Sequence, residues 1–365
     1  MAIPQVLAKR DLPAAFPRAQ HLYGVAPHNA AHRVALRAAL SMAVPLLALW
    51  VTGHTQWTLY AAFGAFTSLY GRQLAHLPRM RMQATAGAAI TLAVTVGTAL
   101  GGCPDSRWLS VFVVAVCAMA ASLAGHRLSW HPAGPIFVVF GSAALAAFPS
   151  TPAHIPVALG VAAGSAAIAV IIGAIGSLRR SARSQVPRNK AHQDTSAASS
   201  RLSAGARAEA LRYGVAVLAG GLAATATGIG HPYWSMVAAV VAVTGTDTTA
   251  RLTRSVYRIA GTFVGVLVAA ALLAPHLPVP AVIGIVAVLQ AGAEMFVGRN
   301  YALAVIFITP LALMMGGLVR PASEWTLLHD RMIETVLGAV IGIAVTILAH
   351  PWGSMPRCGR RAWRR

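Results

Sequence analysis

Residues His231–Gly265 read HPYWSMVAAVVAVTGTDTTARLTRSVYRIAGTFVG. An apolar run is followed by a polar turn with Asp247, then Arg251, Arg254 and Arg258, and then a second apolar run that opens on Gly261 and Gly265. A weaker copy, HTQWTLYAAFGAFTSLYGRQLAHLPRMRMQATAGAAI, occupies His54–Ile90. The two align through His-x-x-Trp (His54 and Trp57, His231 and Trp234), a small-residue helix, an arginine-bearing turn and a glycine at Gly87 or Gly261. The chain therefore reads as a duplication, the longer first turn being an ordinary loop insertion between repeats.

The composition around these copies is not that of a soluble surface. The chain has 365 residues, 57% of them hydrophobic and 10% charged, with a mean hydropathy of +0.65. It reads as a polytopic, all-α membrane protein. A formal net charge of +20 would raise nucleic-acid binding in a soluble protein. Here the arginines sit in tails and short connections, where anionic lipid and the positive-inside rule account for them, and no nucleic-acid motif accompanies them. Lys9 and Lys190 are the only lysines, and with the heavy alanine use this suggests a GC-rich bacterial source.

Apolar runs lie at about 34–52, 56–71, 84–101, 108–125, 132–149 and 155–177, and again at about 209–228, 232–248, 256–273, 277–295, 301–318 and 332–350. Each is near the roughly 20 residues that a spanning helix needs, which predicts about twelve helices in two parallel six-helix repeats. The domain division follows: a cytoplasmic tail over 1–33, a first repeat over 34–177, a basic Ser/Ala-rich linker over 178–208, a second repeat over 209–350 and a basic tail over 351–365. Arginines fall in alternate connections, so both termini are expected inside the cell membrane. Cys103, Cys117 and Cys358 lie far apart, with no metal or disulfide spacing. No cofactor is called for.

Acidic residues number nine, and besides Glu209 at the linker's edge Asp247, Glu294 and Glu334 lie in or against apolar runs, where an ionisable group is costly. Asp247 leads as a site candidate, with helix N-capping as its plain alternative. Arg251, Arg254 and Arg258 share a helix face and would favour an anion, although topology anchors of the same type are common. Arg299, Asn300 and Tyr301 offer guanidinium, amide and phenol donors to a carboxylate, with Glu294 on the other side of the turn. Pro310 predicts a kink in its helix. His54 and His231 titrate in a useful range, with the plainer reading that they are turn residues beside interfacial Trp57 and Trp234. Asp247, His54, His231 and Glu294 are thus the proton-coupling candidates. Gly160/Gly164, Gly261/Gly265 and Gly338/Gly342 argue for close helix packing and a possible homo-oligomer. Motifs of ATPases and hydrolases are absent, so an enzyme is not expected.

TGTDTTARLTRSVYRIAGTFVG followed by VGRNYALAVIFITPLALMM resembles the FUSC family, the fusaric-acid-resistance and aromatic-acid-exporter-like membrane proteins. The likeness is strongest over Leu211–Ile347 and fainter over Ala35–Gly173. The matching positions are Gly245, Thr246, Asp247, Arg254, Arg258, Gly261 and Thr262, then Gly298, Arg299, Asn300, Tyr301, Thr309 and Pro310. The resemblance implies a bacterial inner-membrane exporter of aromatic or other organic carboxylates, driven by the proton gradient. Many members carry a soluble domain between the membrane halves, where this chain has only the linker. The rival expectations are a passive organic-anion channel and a non-transporting membrane scaffold. Small organic anions and anionic lipid are the expected partners.

Overall fold

The computed structural model describes residues 31–72, 74–103, 106–181, 203–245, 247–319 and 324–349. The expected N-terminal tail up to residue 30, the middle of the linker, Thr246, Arg320 and the basic C-terminal tail lie outside the described residues. Among the described residues the fold is all helical. In chain order the helices are α1 (Ala31–Val51), α2 (Thr58–Ala65), α3 (His76–Gly101), α4 (Arg107–Arg127), α5 (Ile136–Ala146), α6 (His154–Ser181), α7 (Ala204–Ala226), α8 (Tyr233–Val243), α9 (Thr248–Leu273), α10 (Val279–Phe296), α11 (Tyr301–Val319) and α12 (Glu324–Leu348).

Each apolar run becomes one helix, but not all of them are spanning helices. Eight are long and apolar enough to cross a membrane: α1, α3, α4, α6 and α9 to α12. The chain is a multi-pass integral membrane protein. By contrast α2, α5 and α8 have only 8, 11 and 11 residues, against an expectation of about 20 each. Every residue of α2 and of α8 is buried. These short helices form the centre, and the long helices surround them.

A short helix inside a bilayer leaves irregular backbone that lipid cannot hydrogen-bond, so protein groups must. Between α2 and α3 the Gln83 amide donates to the carbonyl of Tyr70 at 3.2 Å, and the peptide N–H of Gly71 donates to the carbonyl of His131 at 2.8 Å. Gly71 has φ +65°, and a side chain there would press on Arg79. Before α5, Trp130 donates its indole N–H to Thr85 at 3.0 Å. Arg79, expected in a loop, is buried in α3 and donates to the carbonyl of Gly173 on α6 at 2.6 Å.

The first six helices pack on the last six through matched positions. α1 lies on α10 and α4 on α7; α5 meets α8 and α11 meets α2. Within each group the third helix packs on the fifth and sixth, and the second on the sixth. The end of the bundle that carries the α2–α3, α4–α5, α8–α9 and α10–α11 connections is arginine-rich and is called the basic end below; the other is the far end.

Small residues set the closest approaches. A Cβ at Gly338 would collide with the carbonyl oxygen of Ser235 on α8, and one at Gly342 would lie 2.5 Å from the Ala242 side chain. Gly261 and Gly265 likewise let α9 meet Ala302, Val305 and Thr309 on α11. Gly160 and Gly164 differ: their would-be Cβ positions meet nothing within 4 Å, because that face of α6 points out of the bundle. Their expected packing role is not met inside the chain.

Replacing Gly338 with valine forces α12 away from α8 and is expected to cost about 1–3 kcal/mol or more. Gly160→Val is expected to be close to neutral. Heating detergent-solubilised protein and following the surviving monodisperse peak in size-exclusion chromatography separates the two.

Candidate functional site

The polar turn that ends α8 and starts α9 lies at the basic end. Asp247 has extended backbone and its side chain accepts the peptide N–H of Ala250 at 2.8 Å, so it caps α9. The helix therefore begins at Thr248, well before the apolar run, and takes in Arg251, Arg254 and Arg258 at successive turns. Arg251 donates back to the carbonyl of Gly245 at 3.1 Å. Arg254 and Arg258 turn instead towards α11.

Tyr301, the first residue of α11, holds both. The Arg254 guanidinium lies 4.5 Å from the centre of its ring, and Arg258 Nη1 donates to its hydroxyl at 3.3 Å. Arg254 and Tyr301 line an open cleft of about 610 Å³ together with Asp247, Thr253 and Tyr257. Arg258 lies behind them and is 3% exposed. The cleft thus presents a cation over an aromatic face at its mouth and a second, buried cation at its back.

The other half of the predicted anion trio does not converge. Asn300 is buried and its side-chain oxygen accepts the peptide N–H of Leu303 at 3.1 Å, capping α11. The Arg299 guanidinium lies 5.8 Å from the centre of the Phe296 ring and does not line the cleft. Only Tyr301 of the three reaches it. Pro310 sits within α11 as expected, beside Thr309, which packs on Gly265.

Glu294 belongs elsewhere. Its Oε1 accepts from Arg72 Nη2 at 3.0 Å, which ties α10 to the α2–α3 connection across the two groups of helices. His126 and Glu209, 3.1 Å apart and both exposed, add a second tie at the same end, one worth little in water. His54 stacks on Trp57 at 4.2 Å at the far end, away from the arginines.

His231 is where the sequence reading was incomplete. α12 starts at Glu324, eight residues before the apolar run expected at 332, so Asp330 and Arg331 are helical and buried rather than part of a loop. His231 Nδ1 lies 2.8 Å from Asp330 Oδ2, and the His231 peptide N–H donates to Glu334 Oε1 at 3.0 Å. Glu334 therefore sits against the N-terminus of α8, where a carboxylate is favoured. Arg331, between the two acids, is fully buried, and its guanidinium covers the Trp234 ring at 3.8 Å. The missed signal was the spacing of Asp330 and Glu334 at one helical turn, with Arg331 between them, across the start of an apolar run.

Residues 217–345 match the family model described as fusaric acid resistance protein-like. The second half of the chain is therefore similar to this family over those residues, which include the motifs around Asp247 and Tyr301. It is also 35% identical over 144 residues to an uncharacterized membrane protein, YvaC, of Bacillus subtilis. That match covers 38% of this chain and 22% of the relative, so the chain spans only about a fifth of that protein's length. No solved structure matches.

The Arg72–Glu294 pair is the test of how the two groups of helices hold together. The Glu294 side chain is only 4% exposed, so Arg72→Ala leaves a carboxylate buried without its cation and is expected to destabilise by about 3–5 kcal/mol. The double change Arg72→Ala, Glu294→Leu is expected to recover much of that loss. Denaturation in detergent, compared as a double-mutant cycle, measures it.

Proposed function

We propose that this chain exports organic anions, with aromatic carboxylates as the expected class, and that the proton gradient drives it. The observation that carries the reading is Tyr301, which holds Arg254 on its ring at an open cleft and Arg258 on its hydroxyl behind. A guanidinium fork suits a carboxylate, and an aromatic face suits a planar apolar body. The match of residues 217–345 to the family model described as fusaric acid resistance protein-like supports a transporter.

In this reading the basic end faces the cytoplasm of a bacterium, with both termini on that side, following the arginine distribution. Arg251, Arg254 and the neighbouring basic connections then raise the local anion concentration at the cleft and touch anionic headgroups. Asp247 is a cap rather than a proton carrier. Proton coupling falls to the acids around His231, namely Glu334 and Asp330, because they are buried on α12 beside Arg331, which is within electrostatic reach of Arg258. An anion that passes these arginines changes the field on Glu334, and a proton on Glu334 changes the hold on the anion. That reciprocity is the minimum that coupling requires.

Uptake of labelled benzoate into inside-out vesicles with an imposed pH gradient tests this. The parent accumulates label above its external level. Arg258→Ala loses a charge-assisted contact worth about 1.5–3 kcal/mol and slows entry about tenfold or more. Glu334→Gln equilibrates benzoate but does not accumulate it, and Asp247→Asn behaves as the parent, since asparagine caps a helix equally well. Equilibration by the parent regardless of gradient makes the protein a passive channel. Vesicles that take up no more than empty controls across benzoate, salicylate and acetate remove the transport reading in favour of a scaffold.

A further inference from the structure

Arg331 lies deep in the bundle, the eighth residue of α12, about 10 Å along that helix from its far-end start. It is fully buried. One face of its guanidinium is covered by Trp234 at 3.8 Å. Its Nε, Nη1 and Nη2 have no hydrogen-bond partner among the described residues. The acids that neighbour it are held by other groups: Asp330 by the His231 ring and Glu334 by the His231 peptide N–H, while Glu334 Oε2 is itself unpartnered among the described residues.

A buried guanidinium with five donors and no acceptor is among the most expensive groups a protein can hold. It is more expensive here because Arg258 lies near enough to repel it electrostatically, a cost that Tyr233, Glu334 and Tyr301 offset only in part. Two neighbouring buried cations favour an anion between them. Stacking on Trp234 fixes the plane of the fork, which leaves its edge, not its face, to receive a ligand. Arg254 and Arg258 on Tyr301, then Arg331 on Trp234, form a row of arginines and aromatic rings that leads inward from the basic-end cleft, with Arg258 and Arg331 within electrostatic reach of each other.

We propose that Arg331 and Trp234 form an interior carboxylate-binding site, in which the guanidinium edge takes the carboxylate and the ligand's apolar part lies along the edges of the Trp234 and Tyr233 rings, whose centres sit 4.5 Å apart. The site rests on the export reading only in its place on the route: the cleft admits the anion, Arg258 passes it on, and Arg331 is the inner stop. α8 carries Trp234 against α12 because Gly338 and Gly342 leave no side chain between them. The small residues thereby set the position of the stop.

Calorimetric titration of the purified full chain in detergent with benzoate, and separately with acetate, tests the site. The parent binds benzoate saturably and acetate more weakly. Arg331→Met, close in volume and apolar, folds and binds benzoate at least about tenfold more weakly, because an apolar replacement of a buried charge is tolerated while the fork is lost. Arg331→Lys keeps the charge without the bidentate edge and is also weakened about tenfold. Should the methionine variant not fold, the lysine variant decides alone. Parental affinity in the variants overturns the site, as does a parent that binds neither anion. Benzoate binding that depends on Arg331 without vesicle accumulation retains the site and removes export. Accumulation that survives in Arg331→Met does the reverse.

Discussion

Ionised groups inside a bilayer must be compensated by the protein, and this requirement organises the second group of six helices. Arg258 on α9 and Arg331 on α12 are both buried, and each is placed against an aromatic side chain, Tyr301 or Trp234, rather than against a carboxylate. The acids that would neutralise them are engaged at the N-terminus of α8. Cations and anions are thus adjacent without being fused into ion pairs. Such a separation leaves each group responsive to a ligand or a proton, whereas a closed pair would not be.

The separation depends on backbone geometry. α8 has eleven residues, all buried, and is mostly alanine and valine, so α12 approaches it through Gly338 and Gly342 and α7 through Gly220. Short central helices shift the irregular backbone to protein-lined depths, where Gln83, Arg79 and Trp130 satisfy it in the first group. In α8 the helix start itself does similar work by offering peptide N–H groups to Glu334. The helix is short enough for its N-terminus to fall inside the bundle rather than at the surface.

The two groups of helices use the same packing scheme with different contents. α6 packs on α2 through Ala162 and Ser165, which approach Gly64, and the Ser165 hydroxyl donates to the carbonyl of Ala61 at 2.6 Å. α12, in the matching place, brings Asp330, Arg331 and Glu334 to α8. The cluster of buried acids and arginines around His231 therefore lies in the second group, the one that matches the fusaric acid resistance protein-like model, while the first group buries Arg79 against a backbone carbonyl. The first group supplies a separate far-end cleft of about 400 Å³ with Trp57, Tyr60, Phe148 and His154 on its walls. The Arg72–Glu294 pair joins the groups on the basic side.

The hydropathy pattern was enough for the fold class, the number of helices and the place of each, because burying apolar length in lipid is a local property of the chain. It also singled out Arg254, Arg258 and Tyr301, since three arginines on one helical face stand out wherever the helix packs. It did not fix where helices begin: α9 and α12 start inside polar sequence, held by the Asp247 cap in one and by burial against α8 in the other. Hence Asp330 and Arg331 read as loop residues, and α2, α5 and α8 read as spans. Which charges meet depended on contacts between helices far apart in the chain, such as Arg72 with Glu294 or Trp234 with Arg331. Only packing decides those, because a hydrophobic run says that a helix is buried but not which neighbour its polar residues will face.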